Sequence, residues 1–495
     1  MKYKMIYDNW ISNPLLSQEA HEELSSIKDN DKEIEYRFGA DLAFGTAGMR
    51  GLIGYGTNMI NVYTVRRATQ GLSEYIKTLG LQALSKGVVI SYDTRRYSEL
   101  FARTAAGVLL QNGIKVYLFE KPTPVPMLSF AVRQFKTVAG IMITASHNQK
   151  EDNGFKIFGK DYLHLRKEKL EEIYTLIKNE EFTSGVGTIK KDNIKKEYLN
   201  MLLEKFPKIN QRVVVDCGNG TASIIVKELY SKIFKEVTFL NCDSDGSFPI
   251  HNPDPNDENN LKWLKSVVCM RGFDLGIGID GDADRVGIVT NTGVTIGTDL
   301  LIGIFAREII PASDKKKVIL DVKCSCALEE DLKKHGAVPL MVKNGSAYIE
   351  TKTHDEDALV GGEFSGHIFF RDSYYGYDDG LYAGLRTAEL LMKKNIKADN
   401  LLAGFTKYAS TPEIRLNAPD DKKREIVEKV KKYAMDKNYD CNTSDGVRVN
   451  YKDGFALVRC SNTGPMITLR FEAKDQKTLE ARQKEYMDII EKELK

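Results

Sequence analysis

Three stretches of this chain begin alike: K-G-V-V-I-S-Y-D at 86–93, Q-R-V-V-V-D at 211–216 and K-K-V-I-L-D at 316–321. Each is a basic or polar lead-in, a short aliphatic run and an aspartate: Asp93, Asp216 or Asp321. An internal repeat constrains a fold more than any single motif, because equivalent units must bury equivalent faces. After each aspartate comes a helical pattern: Glu99 to Asn112, Ala222 to Phe234, and Ala327 to His335. A second strand pattern follows, Ile114 to Phe119, Glu236 to Leu240, and Ala337 to Val342, then another helical stretch and a third strand. Strands alternating with helices at these spacings argue for β-α-β-α-β units with largely parallel sheets. The expected fold class is therefore α/β: three related β-α-β-α-β mixed-sheet domains plus a smaller C-terminal α+β domain around a central cleft. The length agrees, since 495 residues suggest about three to four domains of roughly 150 residues each.

The boundaries that follow are 1–190, 191–294, 295–406 and 407–495. The first domain carries an N-terminal extension, helical to about Ser26, and A-F-G-T-A-G-M-R-G at 43–51. A charged linker from Lys160 to Lys208 is expected to form bridging helices. Beyond about residue 407 the pattern changes to a charged helix (Lys422 to Asp436), strands Val447 to Tyr451 and Phe455 to Arg459 joined by K-D-G, a strand Met466 to Ala473 and a closing helix. K-D-G between two such runs is a hairpin signal.

Each third strand opens onto a polar, glycine-bearing loop. In the first unit the buried run Val138 to Ile143 gives way to T-A-S-H-N at 144–148. In the second the loop is D-G-D-A-D-R at 280–285, and in the third G-E-F-S-G-H at 362–367. Loops at the carboxyl ends of α/β strands are where ligands bind, so three at equivalent places point to one cleft. Ser146 beside His147 admits three readings: a covalent nucleophile, a phosphate-contacting hydroxyl, or an ordinary turn. Asp280, Asp282 and Asp284 alternate, which in an extended segment aims three carboxylates to one side. Three hard oxygen donors suit a divalent cation, Mg²⁺ above all where a phosphate oxygen completes the shell. An EF-hand is excluded, because Arg285 stands at its glycine position and Asn291 at its bidentate glutamate.

The closing loop R-C-S-N-T-G-P at 459–465, with Arg470 in the next strand, offers guanidinium, hydroxyl and amide donors that fit a phosphate. Glu363 and Ser365 could bind sugar hydroxyls, the bland alternative being a turn between strands. His367, Lys156 and Arg50 taken singly read as a packing residue and two surface cations. G-I-G-I-D-G at 276–281 runs inside a strand with no helix behind it, and G-N-G-T-A-S at 218–223 ends in serine, so a dinucleotide site is weakly supported. Neither a Walker loop nor G-x-S-x-G is present.

Composition excludes other classes. A net charge of +2 supplies neither a basic excess for nucleic acid nor an acidic tail. The longest aliphatic patch, Leu300 to Ile310, is interrupted by Arg307 and falls short of the ~20 residues that cross a bilayer. The start M-K-Y-K-M-I-Y-D-N-W lacks an apolar signal core, and the seven cysteines form no C-x-x-C pair. They read as packing residues in a reducing cytoplasm.

Taken together, T-A-S-H-N, G-F-K, D-G-D-A-D-R, D-V-K, G-E-F-S-G-H and D-G-V-R with R-C-S-N-T-G-P-M-I-T-L-R-F-E-A make a chain that resembles the α-D-phosphohexomutases of the bacterial phosphomannomutase/phosphoglucomutase type. The resemblance runs from about Phe44 to the final helix. It implies reversible phosphoryl transfer between C1 and C6 of glucose or mannose phosphate, by way of a phosphoserine at Ser146 and a hexose 1,6-bisphosphate. It implies Mg²⁺ held by Ser146, Asp280, Asp282 and Asp284, with glucose 1,6-bisphosphate as activator. Arg50, Lys156 and Arg285 match basic positions near the transferring group, Lys156 being the candidate for proton transfer. His147, Lys323, Glu363, Ser365, His367, Arg459, Ser461, Asn462, Thr463 and Arg470 make up the implied substrate-binding set. Ser346, in K-N-G-S-A-Y, stands where relatives place a histidine. The Arg50 loop is phosphoglucomutase-like whereas R-C-S-N-T matches the dual-specificity type, so both sugars stay open. The implied partner is a hexose phosphate, with no nucleic acid or membrane, and the implied assembly a monomer or homodimer. A sugar-phosphate phosphatase with the same serine and metal, and a non-catalytic sugar-phosphate sensor, are the alternatives.

Overall fold

The computed structural model describes residues 2–45, 48–176, 189–191, 194–461 and 464–494. Its chain forms two compact units, Met1–Val286 with Asp379–Lys393, and Gly287–Asp378 with Lys394–Lys495.

In the first unit, strand Val88–Tyr92 lies between Val116–Leu118 and Ala139–Ile143, parallel to both. All five residues of Val88–Tyr92 and of Ala139–Ile143 are buried. That is why both read as unbroken aliphatic runs: a parallel strand covered on two faces has no polar side to alternate with. Strand Asp152–Gly159 adds antiparallel to Ala139–Ile143, and Gly48–Leu52 antiparallel to it in turn. The mixed sheet is the expected one. The second repeat has the same plan, with Ile209–Asp216 between Phe234–Leu240 and Leu275–Ile279, all parallel.

The second unit holds the third repeat: Lys317–Asp321 lies between Val338–Val342 and Val360–Gly362, and Ile368–Phe370 closes the edge antiparallel. Its C-terminal part is an antiparallel sheet of Val447–Tyr451, Gly454–Cys460 and Met466–Ala473. Helices Asp420–Asp436 and Gln476–Leu494 pack on this sheet.

The three repeats share a local device as well as a strand order. In each, the aspartate ending the central strand accepts a hydrogen bond from the backbone N–H two residues on: Arg95 to Asp93 at 2.9 Å, Gly218 to Asp216 at 2.9 Å, and Lys323 to Asp321 at 3.1 Å. Such an Asx turn pins the loop that leaves the strand. The three carboxylates are almost wholly buried.

Several elements differ from the sequence expectation. The N-terminal extension does not end its helices at Ser26 but adds Asp31–Phe38, capped by Asn30. In the second repeat, helix was expected from Ala222; Thr221–Ile224 is a 3₁₀ turn and the α-helix begins at Val226. The linker does contain helices, Lys167–Thr175 and Lys195–Lys205, but also strand Ile189–Lys191, parallel to Val116–Leu118. Residues 177–188 and 192–193 of it lie outside the described residues. The short strands Ile414–Asn417 and Asp440–Asn442 carry too few residues for a period to show. The aliphatic patch is helix Thr298–Ile309, and no helix among the described residues is long and apolar enough to cross a membrane.

Candidate functional site

Ser146 stands three residues past the end of strand Ala139–Ile143, fully buried, with φ of 56°. A non-glycine residue in the left-handed region is strained, and such strain gathers at functional positions. The Ser146 hydroxyl donates to Asp280 Oδ2 at 3.0 Å, while His147 Nδ1 lies 3.3 Å away. The carboxylate is therefore the nearer partner, with the His147 ring beside it. The Thr144 hydroxyl accepts from the Ser146 N–H at 2.8 Å and shapes the turn.

The carboxylate loop does not have the extended form expected for it. Residues 280–285 make a tight turn in which Ala283 takes φ of 67°. This turn, rather than strand alternation, gathers Asp280, Asp282 and Asp284, whose candidate ligand oxygens all lie within 4.8 Å of one another. Gly281 lets the loop approach the serine: a Cβ there would come within 2.5 Å of the Ser146 carbonyl oxygen.

The strand register brings the cations to the same place. Lys156 pairs with Met142, and Arg50 with Gly154, two residues from Lys156 on the same strand. Both side chains thus leave the same face of the sheet. Lys156 Nζ donates to Asp282 Oδ2 and Asp284 Oδ2 at 2.8 Å each, with all three groups buried. Arg285 Nε lies 3.8 Å from both Asp280 and Asp284, and Arg50 donates to Asn148 at 3.4 Å.

The electrostatics are those of charges taken out of water together. Burial, then Asp284 and Asp282, push the Asp280 carboxyl well above its ordinary range. Burial also opposes the Asp284 charge, but Lys156 and Arg285 outweigh it and hold that carboxyl down at about 2. Burial works against the Lys156 ammonium as well, yet Asp282 and Asp284 overcome it and raise its pKa. Burial and then the neighbouring Arg285 lower that of Arg50. Asp282 Oδ1 is buried with no hydrogen-bond partner among the described residues. A cluster of hard oxygens that raises one carboxyl and leaves another oxygen unsatisfied has the chemistry of a divalent-cation site.

The second unit groups the other predicted residues. Glu363 and Ser365 lie on the turn between Val360–Gly362 and Ile368–Phe370, which the Glu363 N–H closes onto the His367 carbonyl at 2.9 Å. His367 is more than packing: its Nδ1 lies 2.6 Å from Asp378 and its Nε2 3.9 Å from Glu363. Lys323 Nζ is 3.5 Å from Glu413, and Lys323 and Arg470 both stand over the Phe364 ring, at 5.7 and 4.2 Å from its centre. Arg459 donates to Asp445 at 2.7 Å and to Thr468 at 3.0 Å, leaving Nη2 buried without a partner among the described residues. Arg470 donates to the Lys323 carbonyl and keeps Nε in the same condition. Two oriented guanidinium groups with unused donors make a prepared anion site. The Ser461 N–H donates to the Met466 carbonyl at 2.9 Å; Asn462 and Thr463 lie outside the described residues.

Sequence reasoning missed the residues that hold these groups. Asn344 donates to Asp321 at 3.0 Å and also to Glu363, and its own N–H donates to Asp445 at 3.0 Å. Arg448, with no exposed surface, donates to the Val322 and Cys324 carbonyls at 2.7 and 2.8 Å and so fixes the loop of Lys323. Asp445 and Arg448 both lie in D-G-V-R, where the signal was available. Lys423 Nζ donates to the Ser461 and Gly464 carbonyls at 3.2 and 3.0 Å, across a sequence separation no local pattern reveals.

Four family models match the chain in order: phosphoglucomutase/phosphomannomutase alpha/beta/alpha domains I, II and III at residues 41–184, 192–293 and 298–408, and the C-terminal domain at 413–489. This chain belongs to the phosphoglucomutase/phosphomannomutase family. It is an enzyme of the phosphohexomutase class. A phosphomannomutase/phosphoglucomutase of Pseudomonas putida is 35% identical over 444 residues, 89% of this chain and 93% of that protein. A phosphoglucomutase of Neisseria meningitidis is 36% identical over 372 residues, 74% of this chain and 80% of the relative. The crystal structure of a phosphoglucomutase/phosphomannomutase family protein from Burkholderia thailandensis superposes with a TM-score of 0.82 at 29% identity, over 92% of this chain and 98% of that one.

Proposed function

We propose that this phosphohexomutase interconverts the 1- and 6-phosphates of glucose, mannose or both, with Ser146 as phosphoryl carrier. The observation that carries the reading is the buried Ser146 hydroxyl 3.0 Å from Asp280, within a carboxylate cluster neutralised by Lys156 and Arg285. A serine so placed is suited to give and take back a phosphoryl group within a charged cluster. As a phosphoserine it would set the phosphoryl group among cations, where phosphoryl transfer most needs stabilisation.

In the first half-reaction a free sugar hydroxyl displaces Ser146 Oγ at phosphorus. The P–O bond to the serine breaks as the new one to the sugar forms. The sugar hydroxyl loses a proton and Ser146 Oγ gains one; we assign the relay to Lys156, whose ammonium protonates the leaving Oγ and whose amine takes up the proton the sugar hydroxyl releases. The bisphosphate then returns its other phosphoryl group to Ser146 by the reverse steps. Asp280, Asp282 and Asp284 would hold Mg²⁺, which supplies charge neutralisation at the transferring phosphoryl oxygens. Arg50 and Arg285 would share that load. Arg459, Arg470, Ser461, Asn462 and Thr463 would grip the phosphate not being transferred. Glu363, Ser365, His367 and Lys323 would orient the sugar, and His147 would contact the phosphate. We place the reaction in the cytoplasm.

The test is conversion of glucose 1-phosphate to glucose 6-phosphate with Mg²⁺ and catalytic glucose 1,6-bisphosphate. Ser146→Ala is expected to lower kcat by about 10⁴-fold or more; wild-type turnover in that variant contradicts the reading. Steady phosphate release without isomer formation would assign the site to a phosphatase instead. The same assay with mannose 1-phosphate decides the sugar.

A further inference from the structure

The mechanism above makes no use of Arg95, yet no other side chain among the described residues is so engaged with the serine loop. Its guanidinium is wholly buried and spends four donors on four backbone carbonyls of that one loop. Nη2 donates to Ser146 at 2.7 Å and Asn148 at 2.6 Å, and Nη1 to Gln149 at 2.5 Å and Asp152 at 3.1 Å. Nε lies 3.1 Å from Asp93 Oδ2, so the charge is paired inside the first domain. The planar fork of arginine alone among side chains can serve carbonyls in two directions at once.

Two further observations give this arrangement a purpose. First, the four carbonyls are that of Ser146, the residue in the left-handed region, and those of Asn148, Gln149 and Asp152, which follow it. A strained residue persists only where its surroundings over-determine it, and Arg95 is what does so here. Second, the guanidinium is roofed by the second domain. The Phe248 ring centre lies 4.8 Å from Arg95 Cζ, and a Cβ on Gly246 would come within 2.7 Å of Arg95 Cα. The Ser146 carbonyl thus meets Arg95 on the side of its own domain and Gly281, from the carboxylate loop, on the other. Arg95 also occupies the turn position held by Gly218 and Lys323 in the other repeats, two residues after the strand-ending aspartate. One turn position is thus an anchor in the first repeat and a candidate substrate contact in the third.

We propose that Arg95 is a positioning residue for phosphoryl transfer: it locks the serine loop in its strained form and keys it to the second domain through Phe248. The inference rests on Ser146 as the phosphoryl carrier. With Arg95 in place, Ser146 Oγ is held at its 3.0 Å distance from Asp280. Without it the loop relaxes and the oxygen shifts, and a displacement of about 1 Å at a reacting atom costs on the order of 10²-fold in rate. The sugar and distal-phosphate residues belong to other loops, so substrate KM is not expected to move.

The experiment compares wild type, Arg95→Lys, Phe248→Leu and Ser146→Ala in the full chain with Mg²⁺ and glucose 1,6-bisphosphate. Arg95→Lys keeps the charge but loses the fork. It is expected to lower kcat by roughly 10- to 100-fold, with KM within about twofold and slower phosphorylation of Ser146 by the bisphosphate, followed by intact mass. Phe248→Leu, which leaves all four carbonyl bonds intact, is expected to lower kcat by a smaller factor with KM again unchanged. Wild-type kcat in folded Arg95→Lys, or a loss that merely follows a fall in folded fraction, overturns the proposal. Should Arg95→Lys not fold, Phe248→Leu decides alone, and wild-type kcat there overturns it. Ser146→Ala separates the two levels: activity in that variant removes the carrier reading itself, whereas an inactive Ser146→Ala beside a fully active Arg95→Lys removes only the role of Arg95.

Discussion

Replacing Lys156 by methionine keeps the length of the side chain and removes its charge. Lys156 Nζ sits 2.8 Å from Asp282 and 2.8 Å from Asp284, with every side chain in the trio at most 1% exposed. Deleting one member of a buried ion cluster leaves the others uncompensated, at about 3–5 kcal/mol. Here the uncompensated groups are two carboxylates that already share a loop with a third. Metal-free Lys156→Met is therefore expected to melt well below metal-free wild type. A cation bound by the same carboxylates can take over the neutralisation, and one present at a hundred times its Kd stabilises by about 2.7 kcal/mol. Mg²⁺ is accordingly expected to raise the melting midpoint of the variant more than that of wild type. A chain of several domains does not unfold in one step, so the readout is the difference between midpoints with chelator and with Mg²⁺. Turnover is expected to remain about 10²- to 10³-fold below wild type even with the metal, because a preorganised donor at the transferring group is gone. Equal metal-free midpoints, with equal shifts on adding Mg²⁺, would refute the claim that Lys156 and a cation neutralise the same carboxylates.

Arg459→Lys should raise the KM for hexose phosphate by roughly 10- to 150-fold, the equivalent of losing one charged hydrogen bond of about 1.5–3 kcal/mol, while leaving kcat largely intact; steady-state kinetics on glucose 1-phosphate checks it. Gly281→Ala would drive a methyl group to within 2.5 Å of the Ser146 carbonyl oxygen. Since both partners are backbone, the loops must part, and kcat is expected to fall on the order of 10²-fold with the melting midpoint little changed. The His251 pKa is raised because its hydrogen bond and charge contact with Asp216 overcome the opposing effect of burial. A raised histidine pKa stabilises the fold fully below the unfolded value of about 6.5 and loses that contribution as pH rises through the folded value. His251→Gln should therefore flatten the decline of the melting midpoint above pH ~6.5, as a pH series of melts would record.

What was legible in the chain was whatever lies close together in sequence. The three aliphatic runs ending in aspartate announced the strand order, because burial on both faces writes hydrophobicity without alternation. Ser146, the Asp280–Asp284 trio and the Arg459 loop were legible as dense polar loops following strands. The physical reason given for the trio was nevertheless mistaken. A turn with Ala283 in the left-handed region gathers those carboxylates, and no propensity reading expects alanine there. Groups whose role is to hold others stayed hidden, since their partners are remote in sequence: Arg95 reaches Ser146 across 51 positions and Arg448 reaches Val322 across 126. The anchor of His367 stayed hidden for the same reason, as Asp378 becomes its partner only once the chain is folded.

The central claim is that Ser146 carries the phosphoryl group between the two ends of the sugar. Its most direct test is the intact mass of the protein after brief exposure to glucose 1,6-bisphosphate and Mg²⁺, followed by peptide mapping. The expected result is a single addition of ~80 Da on the peptide containing Ser146, which excess glucose 1-phosphate lowers by accepting the phosphoryl group to form glucose 1,6-bisphosphate, and which is absent from Ser146→Ala. An enzyme that turns over with Ser146 unmodified at every stage, or that carries the phosphate on another residue, would contradict it.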